Sequence, residues 1–141
     1  VTVATVVVDD GRVLLVEERI NGALVLNQPA GHLEAGESLA SAALRETREE
    51  SAWDVALTDF IGCYQWQAPD GTPFLRFCYA ARPLKHDPQQ ELDAGIERAV
   101  WLTPAELEAQ PERLRSPLVW QAVADYLAGQ RHPLHLVQEI A

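Results

Sequence analysis

Three glutamates spaced to share one stripe of a helix constrain this chain more than any other feature. The run from Leu39 to Ser51 is rich in Ala, Leu, Arg and Glu, and Ser38 stands where a capping residue belongs, which predicts a helix over Leu39–Ser51. Glu46, Glu49 and Glu50 then fall on one stripe, because residues three and four apart stack on a helix. Leu39, Ala42 and Ala43 share that stripe, so the carboxylates continue the face that packs on the body. Ala40, Leu44 and Thr47 lie on another side, which predicts a helix covered on more than one flank. Such an arrangement is costly alone, since like charges at these spacings repel and carboxylates beside an apolar face lose hydration. A divalent cation removes the difficulty, because oxygen ligands converge on a hard metal that can also hold phosphate oxygens. The competing reading is a solvated acidic face, the commoner fate of an isolated Glu-x-x-Glu-Glu.

The surroundings of the three glutamates decide between these. Gly31, five residues, Glu37, seven residues and then Arg45-Glu46-x-x-Glu49-Glu50 resembles the Nudix box, the signature of hydrolases that cleave diphosphates linked to another group. The match departs at Thr47, where the family prefers an aliphatic residue, and at Ala52, where it usually has Gly. Ala resists the left-handed conformation in which many helices end, so an altered helix exit is expected there. The resemblance implies an α/β fold, an α/β/α sandwich around a mixed sheet, with residues 1–141 forming a single domain.

Bulk properties agree with that class. A chain of 141 residues can bury most of its apolar surface without staples, and 48% hydrophobic with 23% charged residues describes an ordinary globule. A net charge of −10 and a single lysine, Lys85, argue against nucleic-acid binding. The same charge repels a pyrophosphate, so a metal must supply much of the attraction. Nothing resembles a membrane span or a signal peptide, although the chain starts inside an apolar run at Val1 and holds no Met. Cys63 and Cys78 stand singly in apolar segments, read as reduced core thiols of a cytoplasmic protein.

In chain order, Val1–Val8 is strand-like, Asp9-Asp10-Gly11 turns, and Arg12–Glu17 returns. Asn21-Gly22 is a second hairpin signal before the short run Ala23–Leu26, and Pro29 ends a strand before the box. After the helix, Val55–Trp66 reads as a strand broken at Gly62, Asp70-Gly71 turns, and Phe74–Ala81 returns with Leu75, Phe77 and Tyr79 on one face and Phe74, Arg76 and Cys78 on the other. The stretch Arg82–Gly95 reads as a surface loop and Ile96–Leu102 as a strand. Thr103-Pro104-Ala105-Glu106 is a capping box opening a short helix, and Ser116-Pro117 opens another that ends near Gly129.

The family likeness also implies roles. Glu37 and Arg45 pair to hold the loop against the helix. Glu49 and Glu50 lead as ligands of Mg²⁺, with Mn²⁺ the second metal, while Glu46 either ligates or orients and deprotonates the attacking water. The backbone carbonyl of Ala30, just before the box glycine, can join the metal shell. Some members take the base from a later loop, which leaves Glu97, Glu91 and Asp93 as candidates. Beyond the box, Asn27-Gln28-Pro29-Ala30-Gly31-His32, Gln65 to Asp70, Thr72 to Phe77, Leu114 to Val119 and Gly129-Gln130-Arg131 resemble a bacterial phosphatase branch of the family. That branch acts on nucleoside di- and triphosphates and on hydroxymethylpyrimidine pyrophosphate. Asn27, Trp66 and Arg76 become its substrate-binding candidates: Trp66 stacks on a ring or is a core aromatic, and Arg76 meets a phosphate or stands solvated on its strand. His32 reads as a loop residue. The partner is thus a small nucleotide or pyrophosphate, with no nucleic acid or membrane, for a monomer or homodimer. Cleavage of ADP-ribose or a dinucleotide, and a regulatory domain without turnover, are the alternatives; keeping all three box carboxylates favours an enzyme.

Overall fold

Two tight turns open the fold in the computed structural model, which describes residues 1–140. Strands β1 (Thr2–Asp9) and β2 (Arg12–Ile20) join at Asp10-Gly11, and β2 joins β3 (Ala23–Asn27) at Asn21-Gly22. All four turn residues have positive φ, from 50° to 82°, the twist that suits a two-residue hairpin. β1 and β2 pair only beside their turn, at Val8–Val13 and Asp9–Arg12. Beyond it they part. β2 continues with β3 and with β7 (Ile96–Leu102), both antiparallel. β1 takes the short β4 (Ala30–His32) antiparallel and β6 (Pro73–His86) in parallel, and β5 (Trp53–Gln67) lies antiparallel to β6. The sheet is therefore mixed, and the parting of β1 from β2 makes room for the strand that carries the box glycine.

Helices cover both faces. Alternation along β1 and β6 sends Val3 and Tyr79 to one side, where Ala42 and Ala43 of α1 (Leu39–Ser51) pack on them with Phe60. Ala4, Val6, Cys78 and Ala80 face the other side, against Val119, Ala122 and Val123 of α3 (Pro117–Leu127). This is the α/β/α layering expected. A short α2 (Pro104–Glu108) starts at Thr103 with a complete capping box, whose two reciprocal bonds measure 3.1 and 3.0 Å. In β2, the buried Glu17 is tied across to Arg98 of β7 and, at 2.7 Å, to Arg113.

Four local expectations are corrected. Arg82–His86 is strand rather than loop, pairing with Trp53–Val55. Pro83 is tolerated because β1 follows β6 only to Ala81, so the prolyl nitrogen faces no second neighbour. β5 is not broken at Gly62; a bulge between Phe60 and Gly62 shifts its register instead. Leu44 and Cys63 are exposed, so α1 is covered on its second flank only at Thr47, and one thiol lies outside the core. Ala52 ends α1 in the left-handed conformation itself, φ 63° and ψ 20°. Its N–H donates to the Arg48 carbonyl and its carbonyl accepts from Asp87, which together hold the strained exit.

Candidate active site

The box loop and the first turns of α1 are held by one side chain. Ser38 caps α1 by accepting from the Ser41 N–H at 3.0 Å, and the Glu34 N–H donates to Glu37 Oε1 at 3.0 Å. Glu37 is thereby set to receive Arg45 as a fork, Nε at 2.6 Å and Nη2 at 2.9 Å. Arg45 also reaches Glu46 at 2.8 Å, Glu49 at 3.2 Å and the His32 carbonyl at 3.2 Å. The Glu37 carboxylate raises the guanidinium above its ordinary pKa, and Arg45 lowers Glu37 in return. The expected pair is present. His32 lies at the end of β4 rather than in a loop, and its carbonyl is part of that clasp.

Removing Arg45 strips donors from three carboxylates and a carbonyl together. Its side chain is 23% exposed, between the buried and surface limits. Arg45→Ala is expected to lower stability by about 2–3 kcal/mol, read as a melting temperature roughly 5–10 °C lower. An unchanged melt would return the clasp to the class of surface ion pairs worth little.

On α1 the three glutamates do not share one environment. Carboxylate oxygens of Glu46 and Glu49 gather with that of Asp93, all within 4.8 Å of one another. Asp93 comes from the loop before β7, and its N–H donates to the Glu49 carbonyl at 3.1 Å, which fixes the loop against the helix. Glu50 lies outside this group: its Oε1 accepts from the Ala30 N–H at 2.9 Å. Burial pushes Glu50 up to about 8 and raises Glu46 as well. In a strand a residue's N–H and C=O point the same way, so the Ala30 carbonyl faces the helix too. An all-oxygen set of clustered carboxylates with a nearby carbonyl fits a hard divalent cation. Of the later-loop candidates, Asp93 joins the cluster, Glu91 is exposed outside it, and Glu97 pairs with Arg19 at 2.8 Å.

Gly31 has a steric reason to be glycine. A Cβ placed on it overlaps the Glu46 carboxylate, so the strand backbone can lie beside that group only without a side chain. Thr47 is accounted for as well. Fully buried, it donates to the Ala43 carbonyl at 2.7 Å and accepts from Thr5 at 2.8 Å, so its hydroxyl is satisfied where an aliphatic residue was expected.

A cavity of about 830 Å³ opens from Glu46 and Glu50 past Gly31 to a lip formed by Trp66 and Phe74, whose rings sit 5.4 Å apart. Trp66 is half-buried at that lip and is not a core residue. Arg76 is buried beneath it, 7% exposed, which overturns the solvated reading of that residue. Asn27 also lines the cavity; its amide donates to Glu18 at 3.1 Å and its Oδ1 is buried without a partner. Glu18 and Arg115, joined at 3.5 Å, face the same space. Neither stood out in the sequence, because a strand carboxylate and a lone arginine carry no local signal.

A box helix with its arginine clasp, clustered acids and an adjoining cavity on an α/β/α sandwich defines a class, and the match to the Nudix domain over residues 1–121 agrees. The chain belongs to the Nudix family, as a hydrolase acting on phosphoanhydride bonds. It is 47% identical over 137 residues to the phosphatase NudJ of Escherichia coli strain K12, covering 97% of this chain and 89% of that one. The phosphatase NudJ of Shigella flexneri matches to the same extent. A solved Nudix hydrolase from Nitrosomonas europaea superposes with a TM-score of 0.95 at 43% identity, over 99% of this chain and 95% of that one. A UDP-X diphosphatase, 18% identical with a TM-score of 0.73 over 93% of this chain and 64% of its own, shares the fold. Among the described residues, no helix is long and apolar enough to cross a membrane.

Proposed function

We propose that this protein is a Mg²⁺-dependent phosphatase, able to use Mn²⁺, that releases phosphate from nucleoside di- and triphosphates and from hydroxymethylpyrimidine pyrophosphate, acting in the cytoplasm as a single-domain monomer or homodimer. The grouping of Glu46, Glu49 and Asp93 carboxylates at one end of a ring-sized cavity carries the reading. Glu46, Glu49 and Asp93 would hold the cation, with Glu50 and the Ala30 carbonyl beside it. A bound divalent ion lowers the pKa of water and neutralises charge on phosphoryl oxygens. Arg45 orients Glu46 and Glu49 by direct bonds. Glu46, raised by burial and bonded to Arg45, either joins those ligands or orients the attacking water and takes its proton. Trp66 and Phe74 offer ring faces to a nucleobase or pyrimidine at the far end, with Asn27 in the wall beside them.

Phosphate release should be measured across nucleoside di- and triphosphates, hydroxymethylpyrimidine pyrophosphate, ADP-ribose and a dinucleoside polyphosphate. The expected result is Mg²⁺-dependent release of phosphate from the first two groups, abolished by chelator. Exclusive cleavage of ADP-ribose or the dinucleotide would replace this specificity with that of a nucleoside-diphosphate-linked hydrolase.

A further inference from the structure

A helix ends on carbonyls that have no partner within it, and those carbonyls form the negative end of its dipole. At α1 they are met by residues 87–95, the loop that joins β6 to β7. The Asp87 N–H donates to the Ala52 carbonyl at 3.0 Å, and the Asp93 N–H to the Glu49 carbonyl at 3.1 Å. Between them the Gln90 side-chain amide donates to the Arg48 carbonyl at 2.6 Å, beside the Ala52 N–H that the same carbonyl accepts at 2.9 Å. Asp87 shapes this approach. Its carboxylate accepts from the Gln89 N–H and its carbonyl from the Gln90 N–H, which turns the chain so that Gln90 reaches the helix. At the other end of the loop the Arg19 N–H donates to the Gly95 carbonyl at 2.9 Å.

Charge works against this docking. The loop holds Asp87, Glu91 and Asp93 and no basic residue, so it brings carboxylates to a negative helix end and to Glu46 and Glu49. Leu92 is its one large apolar side chain, and Asp93 itself is exposed, so burial offsets little of the repulsion. Gln90 is the one side chain of the loop, among the described residues, that bonds to α1. An uncharged donor is what the place requires, since a carboxylate there would face the Arg48 carbonyl as a second acceptor.

We infer that Gln90 is a positioning residue for the cation, its amide holding the loop on the end of α1 so that the Asp93 carboxylate stays with those of Glu46 and Glu49. Gln90 acts through Asp93 and is not itself a ligand. This rests on the cation-holding role proposed above for the cluster, and adds the group that keeps the third carboxylate in place against repulsion. The departure at Ala52 belongs to the same device, because the left-handed exit of α1 carries the carbonyl that receives the start of the loop.

Mn²⁺ binding, followed by electron paramagnetic resonance without substrate, is compared in the wild type, Gln90→Ala, Asp93→Asn and the variant carrying both changes. Gln90→Ala is expected to bind about tenfold more weakly, in the range for groups that support metal ligands. In the Asp93→Asn background the same change is expected to alter affinity by less than about twofold, because the carboxylate it positions is gone. The melt of Gln90→Ala in chelator is expected to move little, since the bond lies on the surface. Wild-type Mn²⁺ affinity in Gln90→Ala would leave the bond a helix cap and nothing more. Equal losses in the two backgrounds would remove Asp93 as the group that Gln90 positions. Either result overturns the inference and leaves the cluster reading standing. Wild-type affinity in Asp93→Asn, or no Mn²⁺ bound by the wild type, would overturn both.

Discussion

Glu49→Gln is expected to lower kcat by roughly a thousandfold while leaving the fold intact, a loss in the range seen when one group that stabilises developing charge is removed. The substitution keeps the size of the side chain and removes one of the three charges gathered with Glu46 and Asp93. Without a cation those charges repel, and Glu49 is partly open to solvent, so little packing is lost. The melting temperature in chelator is therefore expected to be equal to or slightly above that of the wild type. In Mg²⁺ the order reverses. A ligand that binds only the folded state adds about 2.7 kcal/mol at a hundred times its dissociation constant, and the wild type is expected to gain more of this than the variant. Asp93→Asn is expected to blunt the Mg²⁺-dependent rise in the same way. Normal rates for Glu49→Gln, or wild-type activity that survives excess chelator, would remove the carboxylate cluster from the mechanism.

Gly31→Ala is expected to separate activity from stability even more sharply. Gly31 is not among the glycines with positive φ, so its backbone suits alanine, and the smaller entropy of the unfolded chain favours the variant by about 0.4–1 kcal/mol. Against this stands the overlap of the new methyl with the Glu46 carboxylate. The overlapping atoms are the far end of a flexible side chain, so Glu46 yields rather than the strand. It yields away from Arg45, to which it is bonded at 2.8 Å, and away from Glu49 and Asp93. Loss of one charged hydrogen bond roughly cancels the entropic gain, and the melt is expected to shift by no more than about 1 kcal/mol in equivalent stability. Displacement of a group by about 1 Å can cost a hundredfold in rate, and that is the expected fall in kcat. A variant with near-normal kcat would show that Glu46 is not required where it lies. Gly36 makes a useful contrast: its φ of 81° faces open space, so its alanine variant is strained in the backbone and clashes with nothing.

Some of this molecule could be read directly from residue order, for reasons that are local. The bounds of α1 follow from Ser38 and the run it caps, and both hairpins follow from Asp10-Gly11 and Asn21-Gly22, where turn geometry selects the residue. Thr103 to Glu106 is legible because both partners of a capping box lie within one turn. The Glu37–Arg45 clasp was expected from the family likeness, and it is there.

What the sequence alone determined, then, is most of the elements, the family and the helix that presents the acids, because each depends on neighbours along the chain and on a long, distinctive pattern. Tertiary structure decided the rest. Asp93 joins Glu46 and Glu49 only because the loop before β7 is pinned to the end of α1. Glu50 turns to Ala30 because β1 parts from β2 and lets β4 run beside the helix. Arg82–His86 becomes strand because Trp53–Val55 is there to pair with it, overriding the turn-rich composition. Arg76 alternates with Phe74 and Cys78 as expected, but whether that face met bulk water or the wall of a cavity depended on what β1 and Gln28 placed over it. Burial and charge compensation are sums over contacts between distant segments, and no window of residues contains those contacts.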